Sequence, residues 1–503
     1  MCDNSQRPLT RRSARALANG DHMLTPNPLS PFRENFQLRR APVTILVFIL
    51  GMLSLHTAAD STEEQASATV QTSTKTSTGS LHSISVGTTN KLAFPGAQGF
   101  GAGSIGGRGG RIIPVTTLAD SGLGSLRACV VADGPRVCVF RVSGVIRFLT
   151  EPPVIKNPFL TIAGETAPGD GIILAHGGGA LGHTPLVIKN NHDVIVRHVR
   201  SRPNLAGYSR KSNDAITIEN SRNVIIDHVS GSWALDENVS GYRQNDNVTI
   251  SWSIFADGLT PHNKCALLGS DPTGPQKFSF IGNLCANTGD RNPDLNFTPL
   301  SCVEIINNVF YNAGSQFAEI WESYGGTSAN IVGNWFRAGP NTSSSAIGID
   351  RRQTGSKGTA RVWLWDNQFD GQFVQEASSL AQIISPDPVC PLSTPPKSSA
   401  HAYATVLQNA GAFPRDSFDR RIIVEVQTRT GSFKKVAGPM PLLAGGEAYP
   451  DQDADGMSDA WETEFGTNID VADSWADANG DGLSNLEAFL DYAHGRKMAG
   501  QPL

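Results

Sequence analysis

The chain has 503 residues with 51 Gly and 30 Pro, and no G-X-Y period runs through the glycines, which excludes a collagen. With 39% hydrophobic side chains it can bury a large core, which argues against wholesale disorder. The net charge of −5 is unevenly spread: a basic head, a nearly neutral body, and a stretch at 451–487 with eleven acids and no Lys or Arg. No basic patch dominates, so nucleic acid is not an expected partner.

Residues 42–55 (PVTILVFILGMLSL) form one apolar run behind Arg39 and Arg40. It is short for a membrane span and suits the apolar core of an export signal, with Thr57, Ala58 and Ala59 as a cleavage site. Residues 1–59 are therefore expected to be an export segment, with Met23 as an alternative start that leaves a more ordinary signal, and the protein to be secreted, extracellular or periplasmic. Contact with a membrane is expected only through that segment; a signal anchor is the competing reading. Residues 60–92 are Ser/Thr-rich with no apolar period and read as a linker.

A folded domain is expected over 93–375. Six cysteines follow the export segment, which permits disulfides in an exported chain. Cys129 and Cys138 flank VVADGPRV, read as strand–turn–strand, and are the best-placed pair. The other four read equally as disulfides or as buried free thiols. No CxxC occurs, which argues against a structural zinc site.

The middle of the chain repeats itself. LTIAGE (160–165), VIVRHV (194–199), VIIDHV (224–229), VTISWS (248–253), FSFIGN (278–283), VEIINN (303–308), ANIVGN (329–334) and VWLWDN (362–367) share alternating apolar positions and a closing turn. The intervals between their ends run from 24 to 34 residues. Strands this short cannot bury a face alone, but stacked coil upon coil they form a right-handed parallel β-helix, an all-β fold. Asn283, Asn308, Asn334 and Asn367 would stack as an amide ladder and supply the left-handed corner of each coil. An irregular β-sandwich is the alternative.

Charged residues cluster where loops interrupt the repeat: Asp214, Asp236, Glu237, Lys264 and Arg291. Each lies a few residues from a strand, so stacking can gather them despite their separation. Three converging carboxylates call for a hard cation such as calcium, and the Lys and Arg beside them would face an acidic substrate.

AFPGAQGFGAGSIGGRGG, DSGLGSLRACV, VSGVI, TIAGETAPGDGI, NVIIDHVSGSWALDE and RNP, in that order, resemble the pectate lyases of polysaccharide lyase family 1 across about residues 93–375. The resemblance implies calcium-assisted β-elimination of α-1,4-linked polygalacturonate or pectin, by a chain expected to be monomeric. It implies that Asp214 and Asp236, with Glu237 beside them, hold the catalytic calcium. Lys264 would bind the substrate carboxylate and Arg291 would remove the C5 proton, its pKa depressed by the surrounding positive charge. Two positions depart from the family pattern: Ser240 stands where some relatives carry a further acid, and Asp294 where a second Arg is common. Those departures keep open a non-catalytic polysaccharide-binding β-helix; a glycoside hydrolase on the same fold would need paired carboxylates and water.

Residues 376–448 contain a Pro-rich connector and a segment that either wraps back over the β-helix or leads to the tail. The tail, 449–490, carries DQDADGMSDAWE, with Asp451, Asp453, Asp455, Asp459 and Glu462 at calcium-loop positions around Gly456. A second loop repeats Asp477, Asn479, Asp481 and Asn485, but its acid, Glu487, falls one position early. The pair resembles dockerin-like or thrombospondin type 3-like loops, implying a structural calcium or docking to a partner.

Overall fold

The computed structural model describes residues 91–176, 183–203 and 213–503; the expected export segment and all of the expected linker but residues 91 and 92 lie outside the described residues. Within the compact unit Ser85–Leu503, twenty-eight strands form three parallel sheets of ten, nine and nine strands. The first two strands, Arg111–Val115 and Arg136–Phe140, pair with each other in the first sheet; from there on successive strands pass to different sheets, and each pairs in parallel with its counterpart one coil away. This is the right-handed parallel β-helix, and no helix among the described residues is long and apolar enough to cross a membrane.

All eight repeat segments lie side by side in the ten-stranded first sheet. Their register is continuous: Leu160, Val194, Val224, Val248, Phe278, Val303, Ala329 and Val362 are paired in succession. Every side chain in that column is fully buried, stacked at the roughly 4.8 Å spacing of neighbouring strands. A one-residue slip would turn the whole column to solvent, so the apolar alternation fixes the register.

The asparagine ladder runs inside the corner. The main-chain and side-chain amides of Asn283 donate to Asn308 Oδ1 at 2.8 and 3.2 Å, those of Asn308 to Asn334 at 2.9 and 3.0 Å, and those of Asn334 to Asn367 at 3.2 and 3.0 Å. The left-handed residue of each corner is, however, the one before the ladder: Gly282, Asn307, Gly333 and Asp366, with φ of 67°, 54°, 65° and 47°. The ladder residues serve as hydrogen-bonding spacers, and their neighbours take the strained conformation.

The glycine-rich segment near the start of the described chain lies flat on the first sheet. Gly101 donates its amide to Thr249 Oγ1 at 2.8 Å, and a Cβ there would sit 2.2 Å from the Val224 carbonyl oxygen. Only glycine permits that approach.

Cys129 and Cys138 form a disulfide, but the first of them sits on a short helix, Leu126–Val131, rather than on a strand. Ser125 caps that helix by accepting from the Ala128 amide, which makes the helix the better local solution. The remaining cysteines are also paired, Cys265 with Cys285 and Cys302 with Cys390.

Residues beyond the last coil return over the third sheet. Helices Ser399–Asn409 and Ser417–Thr428 bury Val406, Phe418, Ile422 and Val426 against Ile254, Leu284 and Val309. Beneath them Arg200 and Arg202 meet Asp416 and Asp419 in a fully buried network, with Arg202 2.8 Å from Asp419. The acidic tail then covers the outward face of the first coils, where Val137, Val139 and Ala163 pack against Tyr449, Met457, Trp461, Leu486 and Phe489.

Candidate functional site

Six consecutive strands of the second sheet carry the charged residues: Ile216–Glu219, Glu237–Tyr242, Lys264–Gly269, Asp294–Leu295, Gln316–Trp321 and Ile347–Arg352. Their parallel register sets Glu237 opposite Lys264, and Asp294, Glu319 and Asp350 in one row. Charges scattered over 140 residues of sequence thus share one face of a rigid sheet.

Asp214 lies just before its strand and is buried, its Oδ2 accepting from the Thr217 hydroxyl at 2.6 Å. Its Oδ1 accepts from the Glu237 amide at 3.3 Å, which ties it to the next coil. Burial, and then the nearby Glu237 charge, push the Asp214 carboxyl well above the usual carboxylate range. Burial and Glu237 likewise push Asp236 up to about 7. Asp236, Glu237 and His262 each offer a ligand atom within 4.8 Å of the others, and His262 Nε2 stands 3.3 Å from Asp236 Oδ1. Two carboxylates and an imidazole brought this close are a donor set that fits a divalent cation, and Asp214 is tied to it through the Glu237 amide.

Lys264 Nζ lies 2.6 Å from Asp290 Oδ2 on the following coil, and the adjoining Cys265–Cys285 disulfide anchors this strand. Arg291 occupies the left-handed region with φ of 54°, and its amide donates to Glu319 Oε1 at 3.2 Å. Its guanidinium is ion-paired with Glu237 and lies 3.6 Å from Asp294 Oδ2. Burial alone would lower the Arg291 pKa, but Glu237, Asp294 and Asp290 overcome it and the net direction is upward. The expected depression is therefore absent in the protein alone, because its neighbours are acids.

The two departures are both buried. Ser240 lies on Glu237–Tyr242, registered between Thr217 and Leu267. Asp294 is held well above the usual carboxylate range by burial and by Glu319. The sheet thus gathers Asp214, Asp236, Glu237, Lys264 and Arg291, and adds His262, Asp290 and Glu319, which sequence reasoning missed. His262 and Asp290 adjoin residues already singled out; Glu319 had no local signal, since only the register brings it under Arg291.

The tail residues lie elsewhere. Asp451, Asp453 and Asp455 converge, and Asp455 also meets Glu462 and Asp473. Asp459 Oδ1 instead accepts from the Gln452 amide at 2.8 Å. In the second loop Asp477 accepts from the Gly480 and Gly482 amides, Asn479 donates to Asp481, and the Asn485 side chain turns to Asp473 at 2.9 Å.

No family model matches the chain. It is 37% identical over 409 residues to a protein of Aspergillus fumigatus named probable pectate lyase C, covering 78% of this chain and 92% of that one. A probable pectate lyase C of Emericella nidulans is 34% identical over 428 residues, covering 80% of this chain and 93% of the other. Among solved structures, the cedar pollen allergen jun a 1 aligns with a TM-score of 0.48 and 21% identity, over 63% of this chain and 92% of that one.

Proposed function

Since this chain belongs to the pectate lyases and is a polysaccharide lyase, we propose that it is secreted and cleaves α-1,4-polygalacturonate by calcium-assisted β-elimination on the second-sheet face. The observation that carries this reading is the convergence of Asp214, Asp236 and Glu237 beside Lys264 and Arg291. Asp214, Asp236 and Glu237 would hold calcium, with His262 close enough to orient Asp236. When bound, calcium neutralises the substrate carboxylate and favours the enolate-like transition state.

Lys264 binds the uronate carboxylate, which must displace Asp290 from its ammonium group. Arg291 then takes the proton from C5; the released electron pair forms the C4–C5 double bond and the glycosidic oxygen leaves from C4. A guanidinium is a base only when deprotonated, and the ion pair with Glu237 opposes that. Glu237 is thus shared: negative charge committed to a cation is withdrawn from Arg291. Asp294 and Glu319 are buried and each is held above the usual carboxylate range, so Arg291 faces less than two full negative charges from them.

The test is ultraviolet absorbance of the 4,5-unsaturated uronate on polygalacturonate, with calcium and with a chelator. A calcium-dependent rise supports the reading. Chain cleavage that forms reducing ends without that chromophore indicates a hydrolase, and no cleavage indicates a binding protein.

A further inference from the structure

The acidic tail gathers a second cluster of carboxylates, apart from those of the second sheet. Asp451, Asp453 and Asp455 alternate ahead of Gly456, whose φ of 92° turns the chain sharply. The Asp455 and Gly456 amides donate to Asp451 at 3.1 and 3.2 Å, curling the loop so that the three carboxylates face inward. A Cβ at Gly456 would stand 2.7 Å from the Ile112 side chain, so the turn is pressed against the first strand of the β-helix.

Glu462, on the helix Asp459–Phe465, is the decisive residue. It is completely buried, yet neither of its carboxylate oxygens has a hydrogen-bond donor, and one oxygen of Asp453 is likewise buried and unpartnered. A buried ionised carboxylate with no donor is strongly unfavourable unless a cation completes it. Ligand oxygens of Asp455, Glu462 and Asp473 lie within 4.8 Å of one another, as do those of Asp451, Asp453 and Asp455. Asp473 comes from outside the twelve-residue loop, whereas Asp459 joins neither cluster and its Oδ1 accepts from the Gln452 amide at 2.8 Å.

The second loop lacks these features. Its acid, Glu487, closes a capping box with Ser484 at the start of the helix Asn485–Met498 and is ion-paired with Lys91 and Arg108. Asp477, Asn479 and Asp481 are exposed, and none of their side-chain atoms is a buried orphan.

We propose that the tail binds one calcium ion, through Asp451, Asp453, Asp455, Glu462 and Asp473, and that this ion fastens the tail to the first coils of the β-helix. All five supply hard oxygen ligands, the chemistry calcium prefers. The attachment follows from the packing: Tyr449, Met457 and Trp461, which flank the ligands, cover Val137, Val139 and Ala163, while Arg141 holds Asp451 from the β-helix side at 3.2 Å. The ion therefore stabilises the whole chain and takes no part in the groove chemistry.

The experiment measures thermal unfolding of the full chain, disulfides intact, in calcium and in chelator, for the wild type and four variants. Asp236→Asn disables the groove site and should keep a calcium-induced rise of several degrees. Glu462→Gln and Asp473→Asn should each lose most of that rise, and Asp477→Asn should retain it. Glu462→Gln is isosteric and removes a buried charge, so in chelator it should melt at or above the wild-type temperature. A full calcium response in Glu462→Gln, or its loss in Asp477→Asn or in Asp236→Asn, overturns the proposal. An equal or larger response to magnesium overturns the choice of ion.

Discussion

Lys264 and Asp290, 26 residues apart in sequence, meet at 2.6 Å on successive coils. The lysine that would grip a substrate carboxylate is already held by a protein carboxylate, so substrate must compete for it. Asp290→Asn should therefore lower KM for polygalacturonate several-fold, whereas Lys264→Met should raise it about tenfold or more, the loss of one charge-assisted hydrogen bond. Steady-state kinetics on the two variants check this; an unchanged KM in both would separate the pair from substrate binding.

Acid should empty the groove of calcium. The Asp236 carboxyl is raised from 3.8 to about 7, so the protonated form dominates below neutrality and cannot ligate a cation. Calcium affinity should then fall by at least about tenfold per pH unit as pH drops below about 7, since calcium displaces the Asp236 proton and competes as well with the raised Asp214 carboxyl. The effect on stability has the opposite sign. A raised folded-state pKa favours the calcium-free fold at pH below 3.8, and that contribution is lost as pH rises through about 7. Calorimetric titration with calcium at stepped pH, using Glu462→Gln to silence the tail, measures the affinity directly.

The disulfide Cys302–Cys390 closes a separation of 88 residues and ties the connector back to the last coils. A loop of that size restricts the unfolded chain by about 4–5 kcal/mol in the chain-entropy account. Replacing both cysteines by Ala should lower the melting temperature by several degrees while leaving kcat within about twofold, since Cys302 lies on the first sheet and the groove residues on the second. Differential scanning calorimetry with parallel rate measurements distinguishes this from a catalytic effect.

Asn308 is fully buried in the middle of the ladder, bonded to the coils on both sides. Asn308→Ala should cost about 2–3 kcal/mol, because the amides that pointed at its oxygen are left buried without an acceptor. Urea unfolding should show the drop; a change below about 0.5 kcal/mol would mean water replaces the missing side chain.

The β-helix was legible because its repeat is a one-dimensional signal. Apolar residues recur in eight short segments, and the register of the first sheet follows that alternation residue by residue. Asp214, Asp236, Glu237, Lys264 and Arg291 were legible through motif order, which the sheet converts into proximity. Glu319 was not, because its contact with Arg291 depends on a register between strands that local sequence does not encode. The pKa expected for Arg291 counted calcium and Lys264 around it; in the protein alone Glu237, Asp294 and Asp290 act the other way, and the net direction is upward. The helix at Leu126–Val131 replaced an expected strand because a serine cap outweighed a short β-branched run. The second tail loop looked like a copy of the first, but its acid sits one position early, and that shift sends Glu487 to the helix cap instead of the loop.

The most direct test of the central claim is the rate at which Arg291→Lys forms the unsaturated product from polygalacturonate in saturating calcium. Lysine keeps the positive charge but loses the planar fork that reaches both Glu237 and the substrate. The account predicts a fall in kcat of at least about 10²-fold with KM changed by less than about threefold, the signature of a lost proton-transfer group. Full turnover by Arg291→Lys would contradict it and would assign the C5 proton to another base.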